Sequence, residues 1–306
     1  MRMDGQDESS NVEDVRGMRG GRGGGGIGFG GRSVGIGGVV VAVIAGWIFG
    51  INPLTLLGLI DGAAPVEQTA PQGQRPQPPQ NDAQAQFVSQ VLRSTEVVWT
   101  DVFREAGRTY RPPKLVLYRG SWPTACGTGD AAMGPFYCPG DEKVYIDLDF
   151  FDVMRKKLGA PGDFAQAYVI AHEVGHHVQA QLGIMERVDG YRQRSSPAQS
   201  NALSVRVELQ ADCFAGLWAR RSQQAQGWRL EPGDIEEALN AASQIGDDAL
   251  QGSRRGGAVV PESFTHGSSA QRVSWFRRGI DSGTLGQCDT FDTRQSTKPA
   301  IAPPRG

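Results

Sequence analysis

The sequence predicts an α+β fold that is mainly helical, with a small antiparallel sheet and a single N-terminal transmembrane helix. Three observations support this prediction. Apolar residues recur with helical spacing over several long stretches between residues 83 and 291. Two short stretches, residues 114–118 and 143–148, are rich in β-branched, aromatic and leucine side chains, which is typical of strands. An uncharged apolar run at residues 34–51 precedes them.

The composition fits one main domain with appendages rather than two full domains. The chain has 306 residues, of which 39% are hydrophobic and 21% charged, enough to bury one sizeable core. The net charge of -2 gives no electrostatic reason to expect a nucleic-acid partner. The sequence does not indicate an oligomeric state.

The first 82 residues divide into three appendages by composition. Residues 1–32 are rich in Gly and Arg and poor in large apolar side chains, so we expect a disordered segment. Residues 33–60 contain VGIGGVVVAVIAGWIFGI, which approaches the length of a membrane-spanning helix and predicts an anchor. Residues 61–82 are rich in Pro and Gln and predict an extended linker.

The basic residues give this apolar run an orientation. Four arginines lie shortly before the run, whereas the first basic residue after it is Arg75. The positive-inside rule therefore predicts a cytoplasmic N-terminus and an extracytoplasmic domain, periplasmic or extracellular, on a single-pass anchor. A signal peptide cleaved near residues 62–64 and a helix buried in the core are alternatives. The four arginines are Arg16, Arg19, Arg22 and Arg32.

Spacing and turn residues define the elements of the domain at residues 83–291. The expected helices are 85–106, 150–158, 163–182, 201–224, 234–245 and 268–280, and the expected strands are 114–118 and 143–148. Residues 184–200 are polar and predict an irregular rim, and a Gly-rich loop is expected between the strands. The last of these helices begins with a capping-box pattern at residues 268–271. The tail at 292–306 is rich in Pro and is expected to be flexible.

The most informative stretch is HEVGHH, residues 172–177, in the expected helix 163–182. His172 and His176 are four residues apart, so both imidazoles can face one ion from one side of the helix. Glu173 can act on a metal-activated water without taking a ligand position. His177 lies about 140° from His172 around the axis, so we expect a structural role for it.

We expect a third ligand on the next long helix, because a catalytic zinc usually binds three protein ligands. Glu208 and Asp212 are four residues apart in a helix buried by Leu209 and Phe214, where unpaired carboxylates are costly. Glu208 as ligand and Asp212 as the acceptor that orients a ligand imidazole would satisfy both groups. The alternative is an exposed stripe of solvated carboxylates. The expected content is one Zn²⁺ per chain.

Three stretches of the sequence carry a resemblance to known enzymes: AHEVGHHVQ (171–179), ELQADCFAG (208–216) and HGSSAQR (266–272). They resemble the gluzincin metallopeptidases and, more closely, a bacterial family of neutral zinc metallopeptidases with an N-terminal membrane anchor. The resemblance covers about residues 83–291 together with the anchor. It implies a zincin-like domain that hydrolyses peptide bonds in peptide or protein substrates.

Each polar residue of the expected site has a chemical role in this interpretation. Glu173 is the general base, which takes a proton from water and passes it to the leaving amine. His266 lies in a Gly/Ser loop at a helix start and is the candidate donor to the carbonyl oxygen; a capping or surface histidine is the alternative. The strand at 144–148 is expected to bind substrate backbone through its edge.

A non-catalytic protein is the alternative function, namely an anchored interaction or assembly protein that zinc only stabilises. Glu173 argues against it, because a structural zinc needs no general base and usually has four protein ligands.

Four cysteines in a domain placed outside the cytoplasm predict two disulfides. The expected pairs are Cys126 with Cys138 and Cys213 with Cys288, although three connectivities are possible. Cysteine ligands for zinc are disfavoured because no C-x-x-C spacing occurs.

Overall fold

A computed structural model of the chain describes residues 1–2, 6–18, 82–130, 134–157, 160, 162–226, 229–254 and 260–292. The anchor expected at 33–60, the linker expected at 61–82 except for Asp82, and the tail beyond residue 292 lie outside these residues. Within the described ranges, no helix combines the length and the apolar character that a membrane crossing requires.

The described elements follow one another along the chain as helices around a small sheet. The strands are β1 (Val12–Asp14), β2 (Lys114–Tyr118), β3 (Ser121–Thr124), β4 (Gly127–Asp130), β5 (Phe136–Cys138) and β6 (Lys143–Asp147). The helices are α1 (Ala83–Glu105), α2 (Asp149–Lys157), α3 (Asp163–Gln181), α4 (Ile184–Arg192), α5 (Pro197–Gln226), α6 (Asp234–Gln244), α7 (Asp247–Arg254) and α8 (Ser269–Ser282). Short 3-10 turns occupy Pro261–Ser263 and Leu285–Cys288.

Large aromatic side chains lock α1, α3 and α5 together in the core. Trp99 of α1 meets Phe214 of α5 edge to face, with ring centroids 5.3 Å apart. Phe164 of α3 stacks on Trp218 of α5 at 6.1 Å. All four side chains are almost completely buried, and burial of such rings dominates core stability. The helices that carry residues 172–176 and 208–212 are therefore held in a fixed relation.

Two glycines allow α5 and α8 to approach closely. A Cβ atom on Gly216 would lie 2.1 Å from the carbonyl oxygen of Phe276, and one on Gly279 would lie 2.0 Å from that of Cys213. Any side chain at either position would push the helices apart. This contact brings α8 against the part of α5 that contains Asp212.

The main sheet is mixed, so the prediction of a small antiparallel sheet is wrong for it. Its strand order is β1-β2-β6-β5. β1 pairs with β2 and β2 with β6 in parallel, and β5 pairs with β6 antiparallel. A separate two-stranded antiparallel sheet, β3-β4, occupies the expected Gly-rich loop. The residue pattern of a short strand indicates its two faces but not the direction of its neighbours, which explains the error.

The expected substrate edge at residues 144–148 is also wrong, because β6 has a partner on both sides. Among the described strands, β5 is the edge that lies against α3.

Two further expectations need correction. Residues 6–18, expected to be disordered within 1–32, form β1 and pack against the domain. Residues 184–192, expected to be irregular, form α4, whose Ile184 and Val188 are buried. Only two apolar residues of α4 are buried, too few to show a helical period in the sequence.

Other expectations are confirmed. The capping box forms between Ser268 and Gln271 at the start of α8. Both disulfides form with the expected pairing, Cys126–Cys138 and Cys213–Cys288.

Candidate metal centre

Two imidazoles of α3 and one carboxylate of α5 converge in a buried cleft. Nε2 of His172 lies 3.1 Å from Oε2 of Glu208, and Nε2 of His176 lies 3.7 Å from Oε1 of the same residue. Ligand atoms that share a tetrahedral zinc are about 3.3 Å apart, given bonds of about 2.0 to 2.1 Å. The spacing and the chemistry of these three side chains therefore fit a zinc ion.

The close approach of α3 and α5 depends on a small residue between the histidines. A Cβ atom on Gly175 would lie 3.3 Å from the backbone of Ala211, tighter than most such contacts. Gly175 thus helps α3 and α5 pack closely enough for Glu208 to face both imidazoles.

The outer nitrogen of each imidazole is held by a different acceptor. Nδ1 of His172 lies 2.9 Å from Oδ1 of Asp212, and Nδ1 of His176 lies 2.9 Å from Oε1 of Gln179. Gln179 in turn donates to the backbone carbonyl of Val207 on α5. With Nδ1 donating outward, each imidazole in its neutral form would present the lone pair of Nε2 to a metal ion.

Asp212 is the centre of a buried polar network. Its carboxylate accepts hydrogen bonds from the hydroxyl of Tyr168 at 2.5 Å and from the guanidinium of Arg272 at 2.9 Å. Burial opposes ionisation, but Arg272 and His172 outweigh it and lower the pKa of Asp212 to about 2. Asp212 therefore remains a charged acceptor for His172.

The charges of the cleft favour a cation. Burial lowers the pKa of His172, but the Asp212 and Glu208 carboxylates outweigh it and raise that pKa to about 10. Burial likewise raises the pKa of Glu208, but the histidines hold it well below its ordinary value. A pocket that retains protons so strongly also attracts a divalent metal, which must displace them on binding.

Glu173 lies beside the three donors. One carboxylate oxygen of Glu173 lies within 4.8 Å of a ring nitrogen on each of His172 and His176. Burial raises the pKa of its carboxyl group. By proximity alone Glu173 could be the third ligand, but Glu208 faces both Nε2 atoms and so is the better one.

His177 is turned away from this cluster, as its angle on the helix predicts. Its Nε2 donates to the backbone carbonyl of Arg111 at 2.7 Å, and its Nδ1 accepts from the hydroxyl of Tyr137 at 3.2 Å. Both ring nitrogens are occupied, so His177 joins α3 to β5.

His266 lies in the turn before α8 and is buried. Its Nδ1 lies 3.3 Å from Oδ1 of Asp247, while the second oxygen of Asp247 accepts the backbone N–H groups of residues 265, 266 and 267. Among the described residues, its buried Nε2 has no hydrogen-bond partner.

Four residues that hydrogen-bond to the side chains of the site were not selected as site residues from the sequence. Gln179 lies within the quoted stretch 171–179, three residues after His176, and helical spacing alone could have identified it. Arg272 ends the quoted stretch 266–272, but nothing in its local sequence shows that it points at Asp212. Tyr168 and Asp247 carry no local signal, because their contacts join separate helices.

The fold and the cleft define a mainly helical protein with two histidines and a glutamate placed for a zinc ion. The chain belongs to the family described as "Putative neutral zinc metallopeptidase", which matches residues 1–291. Membership of this family supports, at a coarse level, the assignment of the chain as a zinc-dependent peptidase that acts on peptides or proteins.

The chain is also similar to individual bacterial proteins. The chain is 54% identical over 291 residues to "Uncharacterized protein YpfJ" of Escherichia coli strain K12, covering 95% of this chain and 99% of that protein. It is 42% identical over 207 residues to "Uncharacterized protein Rv2575" of Mycobacterium tuberculosis strain H37Rv, covering 65% of this chain and 67% of that protein. No solved structure matches the chain.

Proposed function

We propose that the protein hydrolyses peptide bonds with one zinc ion held by His172, His176 and Glu208. The observation that carries the proposal is the position of Glu173, a buried carboxylate beside three converging donors. A zinc ion held only for stability has no use for such a group, whereas hydrolysis requires one. When bound, zinc supplies Lewis acidity for the attack of water on a carbonyl group.

Glu173 acts as the general base and then as the acid. Burial raises the pKa of its carboxyl group, which brings that group nearer to the pH at which proton transfer is most effective. It takes the proton of the attacking water and delivers it to the nitrogen of the leaving amine.

His266 stabilises the charge that develops on the carbonyl oxygen. Its Nδ1 contacts the Thr265 hydroxyl at 3.0 Å and the Asp247 carboxylate at 3.3 Å, which hold the ring in its loop. An Nε2–H group is then a donor with no competing partner among the described residues.

Extended substrate binds along the free edge of β5. This strand lies against α3, which carries Glu173, and strand addition to it would bring a peptide bond near that carboxylate. The role first expected for residues 144–148 thus passes to residues 136–138.

The domain acts outside the cytoplasm, where its two disulfides would persist. The apolar run at residues 34–51 attaches it to the membrane.

The test compares purified full-length protein with its Glu173→Gln variant, both loaded with zinc, on a library of quenched fluorescent peptides. We expect cleavage by the wild type and a loss of at least about 10³-fold in the variant, with about one zinc per chain retained in both. Equal activity in the two proteins would contradict the role of Glu173. Zinc bound without cleavage by either protein would favour the non-catalytic alternative.

A further inference from the structure

Residues 6–18 are built into the domain that contains the metal centre. β1 extends the main sheet as a parallel neighbour of β2. The backbone N–H of Val15 donates to the carbonyl of Leu117, and that of Leu115 donates to the carbonyl of Asn11, each at 2.9 Å. Lys143 of β6 also pairs with Glu13 at 2.7 Å.

A buried carboxylate on α1 depends on this N-terminal segment. Glu96 is 4% exposed, and it accepts hydrogen bonds from the Ser9 hydroxyl at 2.5 Å and the Asn11 amide at 2.8 Å. The Ser9 backbone N–H also bonds to the carbonyl of Ser89. Without residues 9 and 11, Glu96 would retain only Arg93 as a partner among these contacts, and an under-paired buried carboxylate is costly.

Residues on either side of the stretch 19–81 also form an ion pair with each other. The guanidinium of Arg16 is buried and forms ion pairs with Asp14 and Asp82. Asp82 is the N-cap of α1 and accepts from the backbone N–H groups of Gln84 and Ala85. The chain therefore leaves the domain and returns to it at one ion pair.

These contacts restrict how the apolar run can meet a membrane. Residues 34–51 lie between residue 18 and residue 82 in the sequence. A single crossing would place residues 6–18 and the domain on opposite sides, where β1 could not pair with β2 and Asn11 could not reach Glu96. We infer that residues 6–18 and the domain share one side of the membrane.

The disulfides indicate which side this is. Disulfides persist outside the cytoplasm, so the N-terminal segment lies there together with the domain. Arg16, one of the four arginines behind the expectation of a cytoplasmic N-terminus, is held in ion pairs on the domain. The N-terminus therefore lies opposite to the side first expected.

Cysteine labelling of the full-length protein in bacterial membranes tests the inference. Asp7→Cys reports on the N-terminal segment and Tyr191→Cys on the domain, since both positions are exposed. The native cysteines are paired and do not compete for the reagent. A membrane-impermeant maleimide is added to intact spheroplasts and, in parallel, after permeabilisation.

We expect both variants to be labelled in intact spheroplasts, to at least about nine-tenths of the level after permeabilisation. Labelling of one variant with protection of the other would overturn the inference. Protection of both would support a shared side but contradict the extracytoplasmic placement in the proposed function, so the two can fail separately.

A zero-length crosslink provides a second readout. Carbodiimide treatment of the membrane-bound protein should join Lys143 to Glu13, and Glu13→Gln should abolish the product in mass spectra. Lys156 and Asp152, 3.4 Å apart in α2, serve as the internal positive control. Formation of the α2 crosslink without the Lys143 to Glu13 crosslink would show that β1 does not pair with the sheet in the membrane.

Discussion

Arg272 donates two hydrogen bonds to Asp212, from Nε and from Nη2, each at 2.9 Å. Both side chains are almost fully buried, so water has little access to this ion pair. Nη2 also contacts the hydroxyl of Tyr168, which itself donates to Asp212. The position of the His172 imidazole therefore depends on a guanidinium that is bonded to Asp212 rather than to His172.

We predict that Arg272→Lys weakens zinc binding by about 10- to 100-fold, the usual effect of losing a group that supports a ligand. Lysine keeps the charge but cannot make the two-pronged contact that fixes the Asp212 carboxylate. Competition with a chelator measures the affinity, and circular dichroism checks the fold. Arg277→Lys, at an exposed position of the same helix, is the matched control. Equal affinity in wild type and Arg272→Lys would exclude a positioning role for Arg272.

The identity of the third ligand gives a second prediction. Glu208→Gln should lose most of its zinc, because it removes one of three donors, whereas Glu173→Gln should retain about one ion per chain. Elemental analysis after dialysis against buffer without metal measures both. The reverse result, with zinc lost from Glu173→Gln and retained by Glu208→Gln, would make Glu173 the third ligand.

The role of His266 gives a third prediction. His266→Gln should lower kcat by about 10² to 10³, the usual cost of removing one donor to a developing oxyanion. Zinc content should not change, because His266 is not a ligand in the proposed site. Asp247→Asn should also lower kcat, because Asp247 holds both the ring and its loop. An unchanged kcat in His266→Gln would leave the donor to be found elsewhere.

The sequence predicts the centre of the site better than its surroundings. Helical spacing was enough to bring His172, Glu173 and His176 to one face and to select Glu208 and Asp212 on a second helix. Asp247 could not be found in this way, because its contact with His266 depends on how α7 and α8 pack. The pairing of Ser9 with Glu96 also joins residues far apart in sequence, and no local pattern in residues 1–32 indicates it.

Close helix packing gives a fourth prediction. Gly279→Ala should destabilise the domain by about 1 to 3 kcal/mol, because its Cβ would overlap the backbone of α5 at Cys213. The overlap would also push α8 away from α5, which should loosen the contact between Arg272 and Asp212 and so weaken zinc binding. Gly286→Ala is the matched control, because a Cβ there meets no atom within 4 Å. Chemical denaturation measures both variants, and equal stability would show that α8 can shift without cost.

The N-terminal segment gives a fifth prediction, which concerns stability rather than topology. Asn11→Ala should cost about 1 to 3 kcal/mol, because it removes a donor to the buried Glu96 carboxylate. Ser10→Ala, at an exposed neighbouring position, should have little effect. In Glu96→Gln the acceptor is neutral, so the further loss from Asn11→Ala should be smaller, and a double-mutant cycle by chemical denaturation measures the difference. Strictly additive effects would mean that Asn11 and Glu96 do not interact.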